Sequence, residues 1–224
     1  MQLMNNYYKS LLIFFILCPI ILVGQGFVVT GADVNGEASN DHFGYSVSLD
    51  ADGDRMAVGA RYNDGTANNA GHVRVYALSS GSWTQLGSDI NGEASNDQSG
   101  SSVSLNAAGD RVAIGARGND GAANSSGHVR VYAYSSGSWT QLGSDINGNP
   151  SNDESGWSVS LNAAGDRVAI GARGNDDSGN DRGHVRVYAY SSNAWTQLGS
   201  DIDGEAGWDY SGSSVSLDSD GDRV

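Results

Sequence analysis

The feature that most constrains this chain of 224 residues is an internal repeat with a period of 56 residues. Trp83, Trp139 and Trp195 are spaced by this period, and so are the Asp-Arg pairs that begin at 54, 110, 166 and 222. No insertion or deletion interrupts the register, and the stretch from Phe27 to Val224 holds about 3.5 copies. Copies this alike are expected to stack on one another, because one short unit cannot cover its own apolar side chains.

Each copy is predicted to form four short strands. The first strand is the alternating segment SVSL, found at 46–49, 102–105, 158–161 and 214–217. A turn containing glycine follows, and the later strands are RVAIGA, HVRVYAY and WTQLG. In the second strand of one copy, Val112 and Ile114 lie on one side and Ala113 lies on the other, so both faces of the sheet are apolar.

A four-stranded sheet with two apolar faces is covered best by radial stacking on the next sheet. This predicts an all-β fold, a β-propeller of four-stranded antiparallel blades, with an incomplete ring of about 3.5 blades. The propeller region is 27–224, and residues 27–31 align with the start of a fourth strand. A β-solenoid is the alternative, although its coils are commonly shorter and rarely contain tight hairpins.

The first residues differ from the repeats. Lys9 precedes an apolar run at 11–23, and Gly24 follows it, which is typical of a secretory signal peptide at 1–24. A membrane anchor that stays attached is the alternative. A lipoprotein signal is disfavoured, because the large residue Leu17 precedes Cys18. The pattern predicts a secreted or cell-surface protein with no membrane span after cleavage.

The charge balance restricts the function classes. The only lysine and the only cysteine, Lys9 and Cys18, lie in the predicted signal peptide, so the remainder has 11 Arg and 26 acidic residues. That remainder therefore has a formal charge of −15. Nucleic acid is not expected as a partner, because phosphate binding needs clustered cations. Disulfides, thiol chemistry and lysine Schiff bases are also excluded after cleavage.

Two glycine-containing motifs connect the repeat to a known family. Phe43-Gly44 stands early in the first copy, and Gly59-Ala60 ends its second strand. Later copies keep the second motif as Gly115-Ala116 and Gly171-Ala172 but replace the phenylalanine by serine. The pattern resembles the FG-GAP repeat family, which builds the integrin α-subunit propeller and many exported bacterial proteins. The resemblance implies a seven-bladed propeller, often extracellular, in adhesion or recognition.

One candidate metal site is calcium in the turn after the first strand. Three carboxylates alternate in two copies, at Asp50, Asp52, Asp54, and at Asp218, Asp220, Asp222. The middle copies have asparagine and alanine there, so the alternative is a hairpin turn that uses these residues for their backbone preferences. The acidic stretch 89–97 and its copies could hold a cation or a sugar, but a solvated connecting loop is favoured.

Recurrence separates structural residues from candidate ligand contacts. His72, His128 and His184 recur beside arginines, which predicts contacts between blades rather than catalysis, and most arginines are likewise assigned to pairing between blades. Aromatic residues that break the repeat are the predicted partner-binding residues, Trp157, Trp208 and Tyr210. Locally adjusted packing is the equal alternative for them.

These observations predict an exported, non-enzymatic recognition or adhesion propeller. Its partner would be an extracellular protein or a glycan, and no cofactor is certain, with calcium left open. The alternative is the scaffold part of a larger propeller enzyme acting on glycans, with catalytic residues outside this chain.

Overall fold

The computed structural model describes residues 31–149, 152–177 and 180–224. The predicted signal peptide at 1–24 and all but Gly31 of the predicted strand at 27–31 lie outside the described residues. Fourteen strands form three sheets in the described part, and every ladder between strands is antiparallel. None of the described residues belongs to a helix that is long and apolar enough to cross a membrane.

The three sheets follow one another along the chain, and we call them blades 1, 2 and 3. Blade 1 contains β1 (Phe43–Leu49), β2 (Arg55–Ala60), β3 (His72–Ser79), β4 (Ser82–Gln85) and β5 (Ile90–Asn91). Blade 2 contains β6 (Ser99–Leu105), β7 (Arg111–Ala116), β8 (His128–Ser135), β9 (Ser138–Gln141) and β10 (Ile146–Asn147). Blade 3 contains β11 (Ser158–Leu161), β12 (Arg167–Ala172), β13 (His184–Ser191) and β14 (Ala194–Asp203).

The order of strands across each sheet is their order along the chain. This arrangement confirms the predicted four-stranded antiparallel blades. The sequence did not reveal β5 and β10, which add two residues to the outer side of the third strand after a break. In blade 3 the same segment joins the fourth strand, and the register shift between Val185 and Val187 marks the irregularity.

The prediction of a strand at 214–217 is wrong. The other three SVSL segments lie within β1, β6 and β11, but residues 214–217 form no strand. Among the described residues no second strand pairs with this segment, so its backbone lacks the ladder that defines a strand. It still lies against blade 3, where the Leu217 backbone N–H donates to Ser160 Oγ at 3.0 Å.

The hydrophobic core lies between the blades. One cluster joins Val73 and Val75 of blade 1 to Val112 and Ile114 of blade 2. A second cluster joins the opposite face of blade 2, which includes Ala113, to blade 3. Neighbouring residues of β7 therefore face different blades, as the alternation predicts, and the blades stack face to face.

The exposed fraction of one repeated leucine shows how far stacking covers the side chains of a blade. Leu49 of blade 1 is 54% exposed, whereas its equivalents Leu105 and Leu161 are 6% and 7% exposed. The two buried leucines have a preceding blade against them, and Leu49 has none among the described residues. Burying such a side chain stabilises the fold by about 1.5–3 kcal/mol, so stacking supplies a large part of the stability.

Hydrogen bonds join the first strands of successive blades directly. Ser102 Oγ donates to Gly156 O at 2.8 Å, and the Leu161 backbone N–H donates to Ser104 Oγ at 2.9 Å. Beyond the strands, the Ala107 N–H donates to Ala163 O at 3.1 Å. The same bonds recur at the equivalent residues of the other interfaces. The first strands therefore form the hub of the stack.

Glycine in the second strand permits this approach. A Cβ atom built on Gly115 would overlap the carbonyl oxygen of Gly156, and Gly59 and Gly171 lie equally close to the next blade. The Gly-Ala motif of each copy thus marks the position where two backbones touch.

We expect Gly115→Ala to lower the free energy of unfolding by about 2–3 kcal/mol, because the new methyl group forces two blades apart. The matched variant is Gly137→Ala, which lies in a hairpin with open space around it. There only the left-handed backbone, φ 85°, opposes a side chain, at a cost of about 1 kcal/mol. Urea denaturation of both variants measures the difference, and equal stability would contradict the close approach.

Candidate functional site

The two ends of the stack carry different loops. One end, which we call the loop end, holds the connections from second to third strands and the connections from each blade to the next. The opposite end, the turn end, holds the turns at 50–54 and their equivalents. The variable residues of the repeat gather at the loop end, where β1 begins and β2 ends.

A row of arginines crosses the loop end, and we call Arg61, Arg117 and Arg173 the arginine row. Each follows the second strand of its blade directly. The Arg61 guanidinium carbon lies 3.7 Å from the centroid of the Tyr45 ring. Arg117 and Arg173, from neighbouring blades, lie 4.2 Å and 3.2 Å from the centroid of the Trp157 ring. One indole therefore contacts two cations and links blades 2 and 3.

The polar neighbour of each arginine changes from blade to blade. Arg117 Nε donates to Gln98 Oε1 at 3.1 Å, and Arg173 Nε donates to Glu154 Oε2 at 3.0 Å. The equivalents of Gln98 and Glu154 are His42 and Tyr210, and all four have positive φ, between 53° and 57°. A constant backbone thus presents four different side chains beside the row.

The three arginines of the row are half-buried. Burial lowers the pKa of the Arg117 guanidinium, and the Glu154 carboxylate acts in the opposite direction. Each arginine has five N–H donors, and the hydrogen bond of Arg117 or Arg173 to its neighbour uses the Nε–H. The Nη groups give the row further donors for an acidic or carbonyl group.

The structure places all three predicted partner-binding aromatics at the loop end. Trp157 is half-buried between two arginines, and Tyr210 lies 5.8 Å from the Arg173 guanidinium carbon. Trp208 is 61% exposed and Tyr210 is 38% exposed, with their ring centroids 6.4 Å apart. Their role in binding stays a prediction, but they form one surface.

The arginine row was not predicted as part of this surface, because the recurrence of these arginines suggested pairing between blades. The hairpin register offered a signal. Phe43 pairs with Ala60 and Ser46 pairs with Gly59, so the variable residue between them lies beside Arg61. The arginine is constant, whereas the position beside it is occupied by Tyr45, Ser101 or Trp157. Such variation is more typical of a surface than of a core.

Other arginines do pair between blades, as predicted. Arg130 of blade 2 binds Glu93 at 3.1 Å and the carbonyl of Asn91 at 2.8 Å, both in the connection from blade 1. Arg74 makes the equivalent ion pair with Glu37. Arg186 instead forms a two-bond fork with Asp201, at 2.9 Å and 2.7 Å, which lowers the pKa of that carboxyl to about 2.

The recurring histidines are buried. His72 and His128 are each 1% exposed and His184 is 2% exposed. Each Nδ1 lies 3.7–3.9 Å from an aspartate oxygen, of Asp89, Asp145 or Asp201. Burial, followed by the neighbouring arginine, lowers the pKa of all three and takes that of His128 to about 4. They are therefore neutral near pH 7.

Each buried histidine also lies in a group that could hold a metal. The groups are Glu37, His72 and Asp89; Glu93, His128 and Asp145; and His184, Asp201 and Asp203, each with ligand atoms within 4.8 Å of one another. Asp89 and Asp201 already accept two bonds from an arginine fork. A cation would compete with that fixed positive charge, so the fit to a metal is poor in these two groups.

The predicted calcium loops lie at the turn end. Asp50 Oδ1 accepts the backbone N–H groups of Asp54 and Arg55 at 3.0 Å and 3.1 Å. Asn106 Oδ1 accepts the equivalent N–H of Arg111 at 2.9 Å, so Asp50 and Asn106 serve the same turn. The metal-like groups found among the described residues do not include either aspartate loop, at 50–54 or 218–222. Calcium binding there stays a prediction.

One aspartate in each of these two loops has a raised pKa. Partial desolvation and the Asp50 carboxylate raise the pKa of Asp54, and a hydrogen bond with Asp218 raises the pKa of Asp222.

The acidic stretch between blades is anchored at its end. Its last aspartate is buried in the three copies, at Asp41, Asp97 and Asp153. Asp97 Oδ2 accepts the backbone N–H groups of Glu93 and Ala94 at 3.2 Å and 2.9 Å. This carboxylate closes the loop, so the connection is anchored by a buried aspartate while residues 93–96 stay exposed to solvent, as predicted.

Comparison with known proteins agrees with the repeat. The FG-GAP repeat family matches residues 27–76 and 147–188. Over these residues the chain is similar to FG-GAP repeats, which supports the suspected family. The stacked antiparallel blades confirm the all-β fold of an incomplete propeller. No curated protein matches the chain.

Two solved structures are similar at low identity. A candidate 6-phosphogluconolactonase from Bacteroides uniformis has 10% identity and a TM-score of 0.47 over 72% of this chain. The hydrazine synthase of Kuenenia stuttgartiensis has 17% identity and a TM-score of 0.45 over 78% of this chain. The chain spans 41% and 53% of the length of these two proteins.

We expect Trp157→Ser, which introduces the residue of two other copies, to destabilise the protein by about 1–2 kcal/mol, since two cation–π contacts are lost. The matched variant Trp208→Asn also introduces a residue from other copies. It should change stability by less than about 0.5 kcal/mol, because Trp208 is exposed. Thermal and urea unfolding compare them, and equal effects would argue against the Trp157 contacts.

We expect the stability to fall as the pH decreases from about 6.5 to about 4. In this window the unfolded chain binds protons on its histidines that the folded protein does not, because the folded pKa of His128 is about 4. This residue alone contributes up to about 3 kcal/mol to the difference. His128→Asn should reduce the slope of unfolding free energy against pH in this window, and an unchanged slope would contradict the assignment.

Proposed function

We propose that this protein is an exported, non-enzymatic recognition propeller that binds an extracellular protein or glycan through its loop end. The observation that carries the proposal is the arginine row stacked on Tyr45, Trp157 and Tyr210. These contacts occur where the otherwise regular repeat varies, whereas the hub and the inter-blade contacts are nearly constant. Substitution between aromatic, charged and neutral residues at this end favours a role in selecting a partner.

The chemistry of the row favours a partner with carboxylate groups. A guanidinium stacked on an aromatic ring keeps its N–H groups at the ring edge, where a planar carboxylate can accept two of them. The whole chain has a net charge of −14, so the row is a local concentration of cations on an acidic protein. The surrounding negative charge would reject polyanions that cannot place a carboxylate on the row.

Burial of the histidines supports a binding role over catalysis. His72, His128 and His184 are shielded from solvent and held near aspartates in every blade. A general acid or base must reach its substrate, and these rings lie inside the stack. Their role is to fill and orient the inter-blade contacts.

Export is proposed from residues 1–24 alone. Expression of the full sequence in a Gram-negative host, followed by N-terminal sequencing of the processed protein, tests it. Processing near Gly24 supports export, and an intact N-terminus in the membrane fraction supports the anchor instead.

We expect the protein to bind immobilised polygalacturonate and poly-glutamate, and to bind methyl-esterified polygalacturonate much more weakly. Arg117→Gln with Arg173→Gln should weaken binding at least about tenfold, because two charge-assisted hydrogen-bond donors are removed. Added salt should weaken it further. Biolayer interferometry measures all of these.

Arg223→Gln is the control for the double arginine variant, because it removes an exposed cation at the turn end, away from the arginine row. It should keep most of the binding. Equal binding to the carboxylated and esterified glycans, or full binding by the arginine variant, would contradict the proposal.

A further inference from the structure

Two equivalent pockets lie between neighbouring blades, away from the arginine row. The first has a volume of about 320 Å³ and lies between residues 88–91 of blade 1 and Tyr132, Ser138 and Trp139 of blade 2. The second has a volume of about 340 Å³ and lies between residues 144–147 of blade 2 and Tyr188, Ala194 and Trp195 of blade 3. Each pocket lies beside the fourth strand, on the side of the sheet opposite the hub.

One wall of each pocket is a tryptophan with a fixed orientation. Trp139 Nε1 donates to Leu86 O at 2.8 Å, and Trp195 Nε1 donates to Leu142 O at 2.8 Å. Each indole also contacts a tyrosine of its own blade, with ring centroids 5.1 Å apart. Because the neighbouring blade holds the indole, its ring is ordered before any ligand arrives.

The facing wall is polar and equally fixed. Gln85 Nε2 donates to Asp89 Oδ1 and Gln141 Nε2 donates to Asp145 Oδ1, both at 2.7 Å. A carboxylate has about four acceptor positions. Asp89 also accepts the two bonds of the Arg74 fork and keeps about one position, whereas Asp145 keeps more. Asn91 and Asn147 add exposed amides.

A tyrosine, Tyr132 in the first pocket and Tyr188 in the second, also lines each pocket. Burial raises the pKa of Tyr132 and of Tyr188, so both phenols keep their proton at neutral pH. Each can therefore donate a hydrogen bond from its hydroxyl group.

We propose that each pocket binds one uncharged pyranose residue of a glycan. The apolar face of the sugar ring lies on Trp139 or Trp195, and its hydroxyl groups donate to Asp89 or Asp145. The volumes are at the lower end of small-ligand sites, which suits a ligand the size of a monosaccharide. The carboxylate disfavours phosphate or uronate groups, so this ligand differs in charge from the one proposed for the arginine row.

The two pockets differ in lining only at Ser138 and Ala194, and on one stack they would bind two residues of one glycan. Binding of the second residue then becomes intramolecular, and a glycan with suitable spacing gains avidity over a free monosaccharide. The proposal does not depend on the function of the loop end, since none of its contacts includes an arginine of the row.

The test titrates the full chain with the methyl glycosides of glucose, galactose, mannose and fucose, followed by tryptophan fluorescence and calorimetry. At least one should saturate two sites with a Kd of about 1 mM, as expected for a ligand of this size. The absence of saturation with all four, at concentrations far above that Kd, would overturn the proposal.

Blocking variants locate the sites. Ser88→Tyr and Ser144→Tyr fill the two pockets from exposed positions, and each should remove one of the two sites. Ser200→Tyr is the matched control, because it changes the same repeat position in blade 3 and this residue lines neither of the two pockets. Two sites remaining after both blocking changes, or the same loss with Ser200→Tyr, would contradict the proposal.

A more conservative substitution separates a loss of binding from an effect on folding. Asp145→Asn keeps the size of the side chain and removes only its charge. It should weaken the second site about tenfold and leave the first unchanged, with an unaltered melting temperature. An unchanged second site would show that the carboxylate does not contact the sugar.

Discussion

The structure depends on the contact between the apolar face of one blade and the apolar face of the next. No blade has a core of its own, since Val112 and Ile114 contact one neighbour and Ala113 contacts the other. Glycine at the end of the second strand lets the backbones touch, and serine hydroxyls then join the first strands at the hub. Stability is therefore a property of interfaces rather than of single sheets.

The two candidate binding surfaces depend on the same contacts between blades. Trp157 belongs to blade 3 but contacts an arginine of blade 2 as well as one of its own blade. Trp139 belongs to blade 2 but donates to a carbonyl of blade 1. Neither arrangement exists in an isolated sheet. The loop end and the inter-blade pockets both require at least two stacked copies, which ties any binding function to the integrity of the stack.

The sequence was informative about the blades and less so about the sites. The period of the repeat, the order of the strands and the two faces of β7 were predicted from the spacing of repeated residues and the alternation of apolar ones. This worked because a regular ladder places side chains predictably. The two-residue strands β5 and β10 were missed since they are too short to show a pattern. Residues 214–217 follow the strand pattern but lack a partner strand in the part of the chain that the structure describes. The arginine row and the pockets join residues from different copies, and only the stacking geometry brings those residues together.

The position shared by His42, Gln98, Glu154 and Tyr210 has a wider consequence. Its backbone conformation is the same in every copy, while its side chain is basic, neutral, acidic or aromatic. Near-identical copies are prone to unequal recombination, which adds or deletes whole units of 56 residues. Such an event would leave each hub contact intact, because every junction is equivalent, and would reorder the side chains beside the arginines. New combinations of surface residues could thus arise without any loss of fold.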